Sequence, residues 1–214
     1  MSGRPAVPVA SPTSLLVLQA SRLAGFAPLE RVAAVYDLDP AVVAAELAGL
    51  AVAGLAAHRD GRRSGWSLTP SGRAEGERRL AAELDAAGLR DEVTDCYRAF
   101  TVLNPRLLAV CTDWQLRDPA TLNDHTDADY DAAVVATLVE IDTGARPVCA
   151  RLAACLDRFG RYPRLLGAAL ARVEAGEGEW FTRPTIASYH TVWFELHEDL
   201  LATLNLDRAT ENRA

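Results

Sequence analysis

Two sets of side chains in this chain of 214 residues combine types and spacings that could do chemistry. The first is cationic. Arg59, Arg62 and Arg63 crowd five positions around Asp60-Gly61, and Arg73 follows ten residues later. Guanidinium groups gathered this way suit phosphate oxygens or a minor groove, and they confer affinity more readily than base specificity. The second set is aromatic and imidazole-rich. In Tyr189-His190-Thr191-Val192-Trp193-Phe194-Glu195-Leu196-His197, the residues His190, Trp193 and His197 fall at i, i+3 and i+7 of a helix, with Tyr189 one turn before Trp193. Such a face suits a small-molecule pocket. Trp114, Arg117, His125 and Arg183 are further candidates for its lining, the two arginines as bidentate partners for a carboxylate or phosphate. Plain core packing, with each polar tip finding one partner, competes with the pocket as a reading of the same residues.

Other chemistries have little to stand on. His190 and His197 could face one metal, but no further ligands close around them. No G-x-S-x-G, Walker or G-x-G-x-x-G pattern occurs, so no catalytic residue can be named and no cofactor or metal is expected. The four cysteines (Cys96, Cys111, Cys149 and Cys155) are dispersed and form no C-x-x-C, which suits reduced, inert thiols. No signal-peptide pattern and no apolar run of membrane-spanning length is visible, so a cytoplasmic protein without a membrane partner is expected.

The elements that must position the arginines are legible locally. Leu38-Asp39-Pro40 opens a helix, with Asp39 at the N-cap and Pro40 at the first helical position. Val43, Leu47, Leu50 and Leu55 give its apolar stripe, and Gly54 ends it. The stretch from Ala57 to Pro70 predicts a hairpin turning near Asp60-Gly61. Two helices are expected before this, over residues 13–24 and 29–36, and a long one after Pro70.

Helix, Gly54-Leu55, charged hairpin and Leu68-Thr69-Pro70-Ser71-Gly72-Arg73, in that order, resemble the MarR-type winged helix-turn-helix family. The resemblance implies double-stranded DNA as partner, a homodimer, and Arg59, Arg62, Arg63 and Arg73 as DNA contacts. Against it stands the helix that would read bases. From Ala41 to Ala53 its only long polar residue is Glu46, which phosphate repels and which could at best accept from a cytosine amine.

Composition bounds the rest. All 22 basic residues are arginine and the net charge is −7, unsuited to indiscriminate coating of nucleic acid. The charge is uneven: residues 1–84 carry nine Arg against eight acids, residues 85–214 carry 13 against 21. Beyond residue 90 the pattern is helical, with a new start at Asn104-Pro105, a loop over residues 118–129, a helix over 132–156 kinked or split at Pro147, another over 163–173, and a last one opened by Pro184. No strand is expected there.

The expected fold is therefore mainly α. It comprises a leader (residues 1–11), a winged helix-turn-helix with a short β-hairpin wing (12–87), an all-helical domain for dimerisation and ligand binding (88–205) and a tail (206–214). The expected function is a MarR-like transcriptional regulator whose helical domain is a candidate sensor of a small ligand. Two alternatives belong to other classes. One is a winged-helix scaffold that has lost DNA reading and binds or converts a small molecule on the Tyr189/His190/Trp193/His197 face. The other is an accessory subunit docking through the Ala-rich helix. Residues 103–204 are similar to a helical region of actinobacterial proteins, some beside or fused to PEP-utilising dikinase-like enzymes, and that resemblance implies service to a partner enzyme but assigns no residues.

Overall fold

The computed structural model describes residues 7–206. The first six residues of the expected leader, and residues 207–214 of the expected tail, lie outside that range. The described residues divide into two compact units: residues 9–91 together with residues 197–206, and residues 92–196 together with residues 7–8.

In the first unit, α1 (Thr13–Ala24), α2 (Leu29–Val35) and α3 (Pro40–Val52) precede a hairpin of β1 (Ala56–Arg59) and β2 (Gly65–Leu68), and α4 (Pro70–Ala86) follows. Each boundary has a local cause. Gly25 ends α1 in the left-handed region (φ 66°) that glycine adopts without steric cost. Asp39 caps α3, its carboxylate accepting from Ala41 N–H at 2.8 Å, and Pro40 takes the first helical position. Thr69 caps α4 by accepting from Gly72 N–H at 3.0 Å, while its own hydroxyl donates to Gly54 O at 2.8 Å. One threonine thus ties the start of α4 to the end of α3.

The hairpin pairs antiparallel, Ala56 with Leu68 through Arg59 with Gly65. Residue Ala27 adds an isolated antiparallel bridge on the other edge of β2, exchanging backbone hydrogen bonds with Trp66 at 2.7 and 3.0 Å. That approach requires glycine at position 65, because a Cβ there would lie 2.8 Å from Ala27 O. Val17, Leu18, Val32, Val43 and Leu47 form the buried centre between the three helices, and Ala56 and Leu68 close it from the hairpin.

The end of the last helix, expected in the helical domain, packs in this first unit. Ala202 joins Leu15 and Leu80 in a buried cluster. Asp199 is fully buried and accepts from Gln19 Nε2 at 2.9 Å and from Tyr36 O–H at 3.3 Å. Two neutral donors contributed by α1 and the end of α2 thereby satisfy a carboxylate from the far end of the chain.

The second unit takes in most of α5 (Arg90–Gln115), β3 (Leu116–Asp118), β4 (Thr121–Leu122), α6 (Ala128–Cys155), a 3-10 turn (Asp157–Gly160), α7 (Arg161–Glu174), the short α8 (Glu179–Thr182) and the first half of α9 (Tyr189–Leu204). Its core holds Phe100, Leu138, Leu152, Phe159, Tyr162 and Trp193.

Four expectations are corrected here. Pro105 does not start a helix and Pro147 does not split one: both are interior to continuous helices, on exposed positions where water can meet the carbonyl that the missing N–H leaves free. Leu116–Leu122 forms a second antiparallel hairpin, so the unit is not all-helical; strands of three and two residues are too short to show alternation. The last helix begins at Tyr189, not Pro184, because Ser188 receives Thr191 N–H at 3.3 Å and opens the helix there. Among the described residues the chain is mainly helical, with two small two-stranded antiparallel sheets.

Candidate functional site

The hairpin carries the cationic set. Arg59 ends β1, Arg62 and Arg63 sit in the connecting loop over residues 60–64, and Arg73 occupies the first turn of α4; all four are exposed. The Arg59 guanidinium lies over the Phe26 ring, 5.3 Å from its centroid, which limits its sweep. His58, on the same strand, packs its ring tilted against Trp66 at 4.8 Å, meets Ser64 Oγ at 3.2 Å and approaches Asp60 at 3.3 Å.

Counting charges along residues 59–79 hides a sorting that the structure makes. Glu75 binds Arg78 through both carboxylate oxygens at 2.8 Å and Arg79 at 2.6 Å, and Glu77 binds Arg22 at 2.7 Å. The hydrogen bonds from Arg78 and then Arg79 hold the Glu75 carboxyl down at about 2. Arg62, Arg63 and Arg73, by contrast, enter no ion pair among the described residues. With Arg59, which lies over the Phe26 ring but enters no ion pair either, these are the cations of residues 59–79 left for an external anion.

The adjacent helix surface is of another kind. The exposed positions of α3 are Pro40, Ala41, Val42, Ala45, Ala48, Gly49 and Val52, with Val52 at 92% exposure. Glu46 is half-buried. Apart from the ends, this face offers no hydrogen-bond donor to a base edge, only methyl groups that could touch a thymine methyl.

The candidate pocket residues do not converge on one place. Trp114, Arg117 and His125 do come together around the second hairpin. The His125 ring packs on Trp114 at 4.5 Å, and Phe181 lies on Trp114 at 4.9 Å. Asp131 receives His125 Nδ1 at 2.9 Å and also Asn123 Nδ2 at 2.8 Å. Arg117 stacks on Tyr130 at 3.8 Å and pairs with Asp127 at 2.9 Å. The close fit extends to Gly178, where a Cβ would lie 2.8 Å from the Trp114 ring. Tyr130 and Asp131 are members that sequence reasoning missed, while Asn123, in the same polar loop as His125, is buried at its centre. Nearly every polar atom named here is met from within the cluster, so its chemistry is chiefly that of a clasp holding the loop over residues 123–131. Arg183 stands apart, exposed and paired with Glu179 at 2.6 Å.

The aromatic face of α9 is divided. Tyr189 and Trp193 are buried in the second unit, Trp193 stacked on Phe100 at 4.6 Å with Nε1–H donating to Asn104 Oδ1 at 2.9 Å. Tyr189 donates to the buried Asp142 carboxylate at 3.1 Å; burial and that neighbouring negative charge push its phenol far above the usual range. His190 is half-buried, and burial lowers its pKa. His197 is buried with the first unit. Tyr189 and Trp193 thus have the geometry of satisfied core residues.

Among the described residues no group of three or more His, Cys, Asp or Glu side chains is placed to hold a metal, and no helix is long and apolar enough to cross a membrane. All four cysteines are buried free thiols, and burial pushes Cys96 up to about 11 and Cys111 and Cys149 to about 12. Comparisons with protein-family models, curated proteins and solved structures find no match to this chain.

Proposed function

We propose that residues 9–91 are a winged helix-turn-helix and that the protein is a MarR-like DNA-binding regulator, holding duplex DNA chiefly through its wing. The observation that carries this reading is the hairpin tip: Arg62 and Arg63 project from a five-residue loop with no carboxylate to satisfy them, and Arg73 does the same from the next helix. In this reading Arg59, Arg62, Arg63 and Arg73 bind phosphates or a minor groove, and α3 lies toward the major groove. The apolar surface of α3 then adds contact without a hydrogen-bond code, so affinity exceeds specificity. Residues 92–196 serve dimerisation, for which exposed Val102 and Leu108 on α5 supply apolar surface. A cytoplasmic location belongs to the same reading.

A second reading draws on one observation, the exposed Val42 and Val52 on a helix otherwise faced with Ala and Gly. Small side chains permit close helix contact, so this face equally suits docking on a partner protein, as an accessory subunit would do. Salt dependence separates the two. With four phosphate contacts per protomer, eight in the dimer, raising salt from 50 to 200 mM weakens binding roughly 20,000-fold, and with two per protomer about 150-fold. Fluorescence anisotropy of a labelled duplex with the wild type and with Arg62→Ala/Arg63→Ala reads this directly. Equal affinities and equal salt slopes for the two proteins overturn the wing assignment.

A further inference from the structure

Between the start of α1 and the C-terminal half of α4 lies a cavity of about 570 Å3 within the first unit. Its walls are apolar, from Val9, Pro12 and Leu15 on one side and Ala82, Ala86 and Ala87 on the other. Small-ligand sites typically occupy 300–1,000 Å3, so the size suits a single small molecule. Arg78, Arg79 and Glu83 also line it.

The charged groups are arranged unequally. Glu75 fixes both guanidinium groups, taking Nε and Nη2 of Arg78 and Nε of Arg79. Arg78 Nη1 and both terminal nitrogens of Arg79 are outside those bonds and remain as donors, oriented by a carboxylate that stays ionised because it is held at about 2. The start of α1 adds to this potential, since Pro12 supplies no side-chain cap to the first-turn N–H groups of the helix. Arg78, Arg79, Glu75 and Glu83 sum to zero charge, which disfavours a polyanion. One anionic head on an apolar body fits both the walls and the donors.

We propose that this cavity binds an amphipathic monocarboxylate, its hydrocarbon against Val9, Leu15, Ala82 and Ala86 and its carboxylate on Arg78 and Arg79. The inference is independent of DNA binding and places a ligand in the first unit, away from the aromatic residues of α9.

Isothermal titration of the full chain with decanoate, decanol and decylammonium tests it. Three probes of one chain length separate the head group from the hydrocarbon. The expected result is saturable binding of decanoate at least tenfold tighter than decanol, reduced at least tenfold in Arg79→Ala. Ala86→Trp fills the cavity from an exposed helical position that leaves the fold intact, and it abolishes binding. Equal affinity for decanoate and decanol, preference for decylammonium (Glu83 then dominating), undiminished binding by Ala86→Trp, or no binding of decanoate each overturns the proposal.

Discussion

Gly72 offers the sharpest test of how the hairpin is anchored. It lies in the first turn of α4, and a Cβ built on it would sit 1.9 Å from the Leu55 carbonyl oxygen and 2.8 Å from the carbonyl carbon. Carbon–oxygen contacts close to about 3.3 Å at best, so Gly72→Ala must part the two backbones by roughly 1.4 Å. That displacement breaks Thr69 N–H to Leu55 O, now 3.0 Å, and disturbs the Thr69 hydroxyl on Gly54 O, now 2.8 Å. Two hydrogen bonds at about 1 kcal/mol each, with an overpacking cost of about 1–3 kcal/mol, give a loss of about 3–5 kcal/mol. Gly76, one turn later, is the control: a Cβ there meets no atom within 4 Å. Gly76→Ala should stabilise by about 0.5–1 kcal/mol, the helical preference for alanine. Urea unfolding followed by circular dichroism at 222 nm reads both. If Gly72→Ala unfolds within about 0.5 kcal/mol of wild type, or if the two variants shift in the same direction, the close approach of α4 to Leu55 has been misjudged.

Asp199→Ala leaves buried Gln19 and the Tyr36 hydroxyl without their carboxylate and should cost about 2–4 kcal/mol in the same assay; a neutral result would dissociate the end of α9 from the first unit. The Glu75 carboxyl is depressed in the folded chain, chiefly by its hydrogen bond to Arg78 and then to Arg79, so its contribution is full above its ordinary value of 4.5 and fades as pH falls toward about 2. The stability gap between wild type and Glu75→Gln should therefore be constant from pH 7 to about 5 and narrow below; a gap that widens on acidification contradicts the pairing. Buried thiols raised to about 11 and 12 should resist iodoacetamide at pH 8, with all four cysteines alkylated only after guanidinium is added. Rapid native labelling of any one of them, read by mass spectrometry, would contradict its burial.

How much of this was readable from sequence depends on how local each signal was. Asp39-Pro40 stated the start of α3 outright, because a cap and an N1 proline act within three residues. Asp60-Gly61 located the turn for the same reason, with Gly61 at φ 137°. Pro105 and Pro147 misled because proline's cost depends on which side of a helix it occupies, and that side is decided by residues such as Phe100, Leu107 and Val148 that become buried in the fold. The short β3–β4 hairpin left no period to detect. The candidate sites were harder. Spacing alone put Tyr189, Trp193 and His197 on one face of α9, yet the partners that absorb the first two, Asp142 and Asn104, come from 47 and 89 residues away. The pairing of Arg78 and Arg79 with Glu75 was within reach as i, i+3 and i, i+4 spacing, and it separates engaged from free cations better than any count of charge.

The central claim, a wing that holds duplex DNA, is met most directly by titrating the purified protein against the duplex upstream of its own gene and against an unrelated duplex, at 50 and 200 mM salt. The account predicts binding to both at low salt, a loss of roughly 20,000-fold at high salt for a dimer with eight phosphate contacts, and a preference for its own duplex that is modest because α3 has no donor to read bases. Absence of binding at 50 mM, or binding that does not weaken with salt, would contradict it and leave the apolar face of α3 as a protein-docking surface.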